Sequence, residues 1–235
     1  MSYKEEIIAL NKHSCVVLNE HALQEKIERT ISTTFGRMAG LLLISFGIAY
    51  ATATGLLPIP YSSTIYRISW IAGFILIMVM SRKWQSMSYQ TLATLLIMFA
   101  VLEGIWLTGV FYAYNLGSIY QMFLTTGIMF GLLAFAGYKL HIDITRVGPI
   151  LMIGLVGLII AMVINMFRQN AAFDIRVSVI GLVIFSGFVL YDMQMLKEQA
   201  TIDDNRIPLL MSLWLFINFV NIFLFLLRLF GSSND

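Results

Sequence analysis

Seven apolar stretches, each about as long as a bilayer is thick, occupy most of the 235-residue chain and constrain its fold more than any other feature. A helix needs roughly 20 apolar residues to cross about 30 Å of hydrocarbon. On that scale we predict spans at 35–57, 66–81, 91–112, 118–138, 147–167, 175–196 and 207–230. Only helices and closed barrels satisfy their backbone in lipid, and stretches this long exclude barrel strands. The sequence therefore predicts an all-α, polytopic membrane protein, a bundle of seven transmembrane helices.

The composition supports a membrane protein and excludes several other classes. The chain is 59% hydrophobic and 12% charged, whereas a soluble domain is about 45–50% apolar and about 25% charged. A net charge of +2 is too small to indicate a nucleic-acid partner. The single cysteine, Cys15, excludes a disulfide framework and a cysteine-based metal cluster. We expect the lipid bilayer as the first partner, and neither a resident metal nor a cofactor.

The basic residues are distributed unequally between the two sides of the predicted bundle. Lysine and arginine concentrate in cytoplasmic loops of membrane proteins. Eleven lie on the side of the N-terminus and four on the other. The larger set is Lys4, Lys12, Lys26, Arg29, Arg37, Arg82, Lys83, Lys139, Arg146, Lys197 and Arg206, and the smaller set is Arg67, Arg168, Arg176 and Arg228. We therefore predict a cytoplasmic N-terminus and a C-terminus outside.

The first 33 residues differ in composition from the rest of the chain. Leu23, Ile27 and Ile31 recur every four residues among charged residues, which is typical of an amphipathic helix. We predict a cytoplasmic amphipathic arm at 1–33, a transmembrane domain at 34–231 and a short C-terminal tail at 232–235. The arm is either a lead-in helix or a regulatory docking segment.

A few polar residues lie deep in the apolar spans. Placing an ionised carboxylate at membrane depth costs a few kcal/mol, so such a residue is a functional candidate. Asp192 near the end of the sixth span and Glu103 within the third are the two carboxylates, and Asn218 and Asn221 share one face of the last helix. Glu103 is either neutral and hydrogen-bonded or part of an ion pathway.

Asp192 also has structural explanations. It could cap the loop that follows, or pair with Arg82 or Lys83 at the end of the second span. If such a pair holds an ion pathway closed, neutralising Asp192 should raise the ion flux. If Asp192 only braces the fold, the same change should lower expression and leave flux per folded molecule unchanged.

Four segments of the chain resemble motifs of the Bax inhibitor-1 (transmembrane Bax inhibitor motif) family, and they occur in the same order and at similar spacing as in that family. The sixth span, Val177-Ser178-Val179-Ile180-Gly181 through Tyr191-Asp192-Met193-Gln194-Met195-Leu196-Lys197, is similar to the family's sixth helix. Similar too are Phe35-Gly36-Arg37-Met38 with Gly40-Leu41-Leu42-Leu43, Gly137-Tyr138-Lys139 followed by Asp143, and Leu226-Leu227-Arg228-Leu229-Phe230-Gly231. The likeness covers about 30–231 and favours a bacterial-type member.

The resemblance implies that the Asp of the Tyr-Asp pair, Asp192, faces a second Asp on the last helix. Two facing carboxylates share a proton, and Ca²⁺ prefers such oxygen ligands. In this chain the second position is Asn218, which has no proton to share. Some relatives place an arginine beside the pair, and Arg82 is the nearest match. Asp192 then titrates alone or couples to Glu103.

The resemblance also implies two functions. Bacterial members are associated with a pH-sensitive calcium leak or with modulating a membrane-bound protease, and eukaryotic relatives with cell-death suppression. We expect a pH-influenced cation leak channel with Asp192 at its gate and Ca²⁺ as the permeant ion. The alternative is an interaction protein that modulates a membrane protease or other membrane proteins. A multi-pass protein of the bacterial plasma membrane fits both functions, and the sequence favours no oligomeric state.

An intramembrane enzyme is not expected. Aspartyl proteases of the bilayer need a second Asp in a Gly-x-Gly-Asp turn, which this chain lacks. A serine-type intramembrane protease needs a histidine at depth, and all three histidines lie outside the predicted spans. The chain also has no P-loop, no His-Glu-x-x-His and no nucleophile elbow.

Overall fold

The computed structural model describes residues 3–60, 62–140, 143–168 and 170–234. They form seven helices: α1 (Tyr3–Ala53), α2 (Ser63–Lys83), α3 (Tyr89–Ala113), α4 (Leu116–Lys139), α5 (Ile144–Arg168), α6 (Ala171–Gln199) and α7 (Ile207–Phe230), with a short 3₁₀ turn at Trp84–Ser86. Each of the seven is long and apolar enough to cross a membrane. The predicted all-α seven-helix bundle is confirmed.

The first helix differs from its prediction at both ends. The arm and the first span form one continuous helix of 51 residues, about 76 Å long at 1.5 Å per residue. No proline or glycine interrupts residues 3–35, so nothing in the sequence breaks the helix between arm and bilayer. The helix ends at Ala53, before the predicted limit of 57, because the chain turns at Gly55, whose φ of 77° favours glycine. The side chain of Cys15 lies outside the described part.

Three short polar caps start the later helices. Ser88, Asn115 and Asn170 each accept a hydrogen bond from the backbone N–H three residues on, at the N-termini of α3, α4 and α6. Such caps satisfy N–H groups that have no partner within the helix. They allow the chain to reverse direction in two to five residues at these points.

Helix α7 is the centre of the bundle. It is the most buried of the seven, and α1, α3, α4 and α6 pack around it, while α2 packs on α3 and α5 packs on α6. Edge-to-face contacts join α7 to its neighbours, among them Phe223 to Phe46 and Phe219 to Phe130. One stripe of α7 stays partly open; its residues are Trp214, Ile217, Asn221, Leu224 and Arg228.

Glycines permit the closest helix contacts. A Cβ on Gly104 would lie 2.6 Å from the Ser45 carbonyl oxygen, and one on Gly181 would lie 2.4 Å from the Phe225 ring. Small residues of this kind let helix backbones approach in lipid. Gly127 and Gly131 on α4 differ, because a Cβ on either one would meet nothing within 4 Å.

We call the two ends of the bundle the arm end, which holds the turns after α2, α4 and α6, and the tail end. At the arm end the turn after α6 is held from two sides. Lys26 of α1 pairs with Asp203 at 3.7 Å, and the Arg206 guanidinium donates to the carbonyl oxygens of Gln85 and Met87 at 2.8 and 3.0 Å. Arg206 also pairs with Asp204 at 2.7 Å.

At the tail end the C-terminal residues bind the turn between α3 and α4. The backbone N–H and side-chain amide of Asn115 donate to the Ser232 carbonyl oxygen, each at 3.2 Å. The Ser232 N–H donates to the Ser118 hydroxyl at 3.0 Å. The predicted tail is thus tied to the bundle through residue 234, and Asp235 lies outside the described residues.

Candidate ion site between α6 and α7

Asp192 and Asn218 form a buried polar pair between the two helices. The Asn218 side-chain amide donates to the Asp192 carboxylate with an Nδ2–Oδ2 distance of 2.6 Å. Asp192 is 7% exposed and Asn218 is 5% exposed. Asp192 lies about two turns before the end of α6 and Asn218 about three turns after the start of α7. The structure therefore brings these two predicted site residues together.

The neighbours of Asp192 along α6 fix its position. The Gln194 side-chain amide donates to the carbonyl oxygens of Gly137 and Leu140, which have no helical partner at the end of α4. On the other side, a Cβ on Gly148 of α5 would lie 2.9 Å from the Tyr191 ring. Helix α6 is thus held by α4 and α5 within one turn of Asp192.

A cavity of about 360 Å³ opens beside the pair, between α5, α6 and α7. Its walls are mostly apolar, with Met152, Phe188 and Trp214 among them. Asp192 and Asn218 are among its polar lining residues, together with Tyr191 and Gln199. An apolar cavity with a few convergent polar groups is the usual form of a ligand or ion site.

Asn221 lies one turn beyond Asn218 on the open stripe of α7. Its side-chain amide donates to the Ile217 carbonyl oxygen of its own helix at 2.8 Å. It shares the face of Asn218, as its spacing predicts. Its side-chain carbonyl oxygen accepts no hydrogen bond among the described residues, and Asn221 is not part of the lining of the cavity beside Asp192.

Glu103 lies on the other side of α7. One turn before it, Phe99 packs edge-to-face on Phe216 with ring centroids 5.6 Å apart. Phe216 and Asn218 are two residues apart and therefore point about 200° apart around α7. Helix α7 thus stands between Glu103 and the polar pair. Glu103 is partly buried, and within the described ranges it forms no hydrogen bond or ion pair.

Arg82 and Lys83 are exposed at the end of α2. Helix α2 packs on α3, away from α6. None of the ion pairs found among the described residues joins either cation to Asp192. The structure therefore does not bring the predicted gate partners to the carboxylate; its partner is the neutral amide of Asn218.

The tail end holds a second polar cluster, in which the sequence indicated a hydrogen bond of Asn165 between helices but not the ion pair beside it. Asp174 of α6 accepts from the Asn165 side chain at 3.1 Å and pairs with Arg228 of α7 at 3.7 Å. The sequence does contain a signal for the ion pair, because Asp174 and Arg228 are opposite charges at those ends of the sixth and seventh predicted spans that lie on the same side of the membrane. The cluster lies at the end of the open stripe of α7, far from Asp192 along α6.

The polar pair suits a weakly held cation better than a permanent metal. Asp192 offers carboxylate oxygens and Asn218 can turn its carbonyl oxygen inward, and both are ligands that hard cations prefer. A tight Ca²⁺ site needs six to eight oxygens. In the part of the chain that the structure describes, no three His, Cys, Asp or Glu side chains are grouped to hold a metal ion.

Known proteins resemble nearly the whole chain. Residues 27–235 match the model of a family described as inhibitor of apoptosis-promoting Bax1. An uncharacterized protein of Borreliella burgdorferi is 34% identical over 228 residues, covering 90% of this chain and 97% of that protein. The inner membrane protein YbhL of Escherichia coli is 30% identical over 216 residues, covering 88% of this chain and 92% of that protein. An uncharacterized membrane protein of Streptococcus pyogenes is 26% identical, covering 92% and 100%.

Proposed function

The chain belongs to the Bax inhibitor-1 family, and from that premise we propose that it is a cation leak channel of the plasma membrane, with Asp192 as its cation-binding and pH-sensing residue. The multi-pass membrane protein would have its arm end in the cytoplasm. Ca²⁺ is the proposed permeant ion. The observation that carries the proposal is the buried carboxylate of Asp192 at the wall of a cavity, where a single amide among the described residues donates to it.

The burial of Asp192 argues for a role beyond bracing the helices. An ionised carboxylate inside a bundle needs partners, and in the part of the chain that the structure describes a single hydrogen bond, from Asn218, leaves most of its acceptor capacity open. A passing cation would fill that capacity. Because the site has few oxygens, it would release the ion again, and conduction requires such weak binding.

The dependence on pH follows from the same carboxylate. Ionised Asp192 attracts a cation and accepts from Asn218. A protonated Asp192 carries no charge to attract a cation, so flux should fall at low pH. Arg82 and Lys83 have no part in this proposal, because they lie away from the pair.

The test is Ca²⁺ flux into liposomes that contain the purified full-length protein, between about pH 5 and 8. We expect Asp192→Asn to lower flux per folded molecule at least tenfold and to flatten its pH profile. Asp143→Asn, on an exposed carboxylate that pairs with Arg146, is the matched control and should behave like the parent. Higher flux from Asp192→Asn would overturn the cation-binding role and make Asp192 a closing element.

The length of α1 favours a second candidate function, modulation of a membrane protease or of other membrane proteins. About half of this 51-residue helix exceeds what a 30 Å bilayer requires, so the arm extends beyond the bundle. A photo-crosslinking side chain at the exposed Glu20 position of the full-length protein tests it in cells. Reproducible capture of one membrane protein, with no cation flux from the purified protein at any pH in that range, would favour this function over the channel.

A further inference from the structure

A second cavity lies between α1 and α4, on a different face of α6 from the polar pair. Its volume is about 400 Å³, and the side chain of Met193 forms part of its floor. Phe35 and Ile31 of α1 line one wall, and Gly131 and Ala134 of α4 line the other. We call this cavity the α1–α4 groove. Its deep part is apolar, and the absent side chain of Gly131 leaves it open.

The groove has a polar mouth at the arm end. Glu28 of α1 lines it there, opposite Tyr138, the penultimate residue of α4. Two lysines stand around that tyrosine: the Lys197 ammonium is 5.2 Å from the ring centre, and that of Lys139 is 5.9 Å from it. Glu28 is exposed, and across the described residues it forms no hydrogen bond or ion pair. The mouth therefore has one anionic group in its lining, with two cationic groups beside its Tyr138 wall, and the Lys197 ammonium also donates to the Tyr138 carbonyl oxygen at 3.3 Å.

The groove runs in the direction of the bilayer normal. From Glu28 to Phe35 along α1 it spans seven residue-to-residue steps, about 10 Å of helix. Its mouth lies at the last residues of α4, where a spanning helix meets the lipid headgroups, and basic pockets between helices at that depth bind lipid phosphates. At this depth the apolar slot matches a lipid acyl chain, and the charged groups at its rim match the lipid headgroup.

We propose that the α1–α4 groove is a binding site for a phospholipid with a phosphoethanolamine headgroup. The lipid phosphate lies between Lys139 and Lys197, its primary ammonium donates to the Glu28 carboxylate, and one acyl chain fills the slot between Phe35 and Gly131. A headgroup that carries only negative charge would leave Glu28 facing an anion. A phosphocholine headgroup has no N–H to donate. The site does not depend on whether the protein conducts ions.

Two glycines on α4 provide a matched test of the slot. Gly131 lines the groove, and Gly127 lies one turn away outside it; a Cβ on either one meets nothing within 4 Å. Gly131→Leu should fill the slot without disturbing the bundle, and Gly127→Leu adds the same side chain to the same helix. We expect Gly131→Leu to weaken lipid binding at least tenfold and Gly127→Leu to leave it unchanged.

The measurement is lipid retention by the full-length protein in detergent micelles, followed by native mass spectrometry. Phosphatidylethanolamine, phosphatidylcholine and phosphatidylglycerol with identical acyl chains are added in turn. We expect phosphatidylethanolamine to be retained most by the parent, Glu28→Gln to abolish its advantage over phosphatidylcholine, and Lys139→Gln to weaken retention of all three. Because Glu28 and Lys139 are exposed, both variants should fold even if Gly131→Leu does not.

Four results would overturn the proposal. Equal retention of the three lipids by the parent would show ordinary bilayer contact without a site. Preference for phosphatidylglycerol would mean that the lysines alone select an anionic lipid. Unchanged retention by Gly131→Leu would place the bound lipid outside the groove, and a mass shift to a dimer that this variant abolishes would assign the groove to a second copy of the chain.

Discussion

Asn218→Asp would place a second carboxylate opposite Asp192 with almost no change in side-chain volume. The amide nitrogen it replaces lies 2.6 Å from the Asp192 Oδ2, a distance typical of a hydrogen bond between a carboxyl and a carboxylate. The pair should therefore share one proton at low pH. Once both groups are ionised, two charges about 4 Å apart at an effective dielectric constant of about 20 repel by about 4 kcal/mol.

This repulsion sets the expected size and sign of the effect. Below the pH at which the shared proton leaves, the variant should be about as stable as the parent. Above that pH it should lose up to about 4 kcal/mol, roughly 10 °C of melting temperature at 2–4 °C per kcal/mol. Stability should fall as pH rises, because the folded variant holds the shared proton more tightly than the unfolded chain does.

The assay is thermal unfolding in detergent across about pH 5 to 8, with Ca²⁺ flux measured in parallel. Asn221→Asp is the control for adding a carboxylate to α7 away from Asp192, because Asn221 bonds to its own helix and not to Asp192; its pH profile gives the cost of the added carboxylate alone. A pH-dependent loss of stability in Asn218→Asp that is no larger than the loss in this control would refute the facing geometry.

Two further predictions concern orientation and the arm end. A reporter that is active only in the cytoplasm should be silent when fused after Asp235 and active when fused before Met1, since seven crossings put the termini on opposite sides; a bright C-terminal fusion would overturn the helix count or the orientation. The hydrogen bond from Arg206 holds the pKa of Asp204 below its usual range. The contact therefore stabilises the fold fully at pH values above the pKa of Asp in the unfolded chain, about 3.9. This stabilisation is lost as pH falls through the lower pKa of Asp204 in the folded protein. Arg206→Gln should thus lower the melting temperature at neutral pH, and the difference from the parent should narrow towards about pH 3; a difference that is constant with pH would show that only the bonds of Arg206 to Gln85 and Met87 matter.

The sequence predicted the helices and the pair of Asp192 and Asn218. It did not predict which faces of the other helices pack against each other in the bundle. The apolar lengths locate the spans, and the family resemblance, read back from the C-terminal motif, placed Asn218 opposite Asp192. The separation of Glu103 from that pair depends on how α3 is rotated against α7, which Phe99 and Phe216 decide through packing. The hydrophobic periodicity of a single helix does not show how that helix is rotated against its neighbour.

The same limit explains the gate partners and the groove. Arg82 and Lys83 have the right charge and depth for Asp192, but α2 packs on α3, outside the ring of helices that contacts α7. The groove exists because Phe35 and Phe130 meet edge-to-face, with ring centroids 6.3 Å apart, while Gly131 beside them has no side chain to fill the space. Both features depend on which helices and side chains become neighbours in the folded bundle, and the pattern of a single helix does not show this.

The central claim is that cations pass the cavity beside Asp192, and thiol labelling at its wall tests this most directly. The sequence has one cysteine, so Cys15→Ser gives a background without thiols. Ile217→Cys in that background puts a thiol on the cavity wall, and Val183→Cys puts one on the lipid-facing side of α6. The account predicts that a cationic methanethiosulfonate reagent blocks Ca²⁺ flux through liposomes carrying Ile217→Cys and leaves flux through Val183→Cys unchanged. Complete labelling of Ile217→Cys with undiminished flux would contradict it.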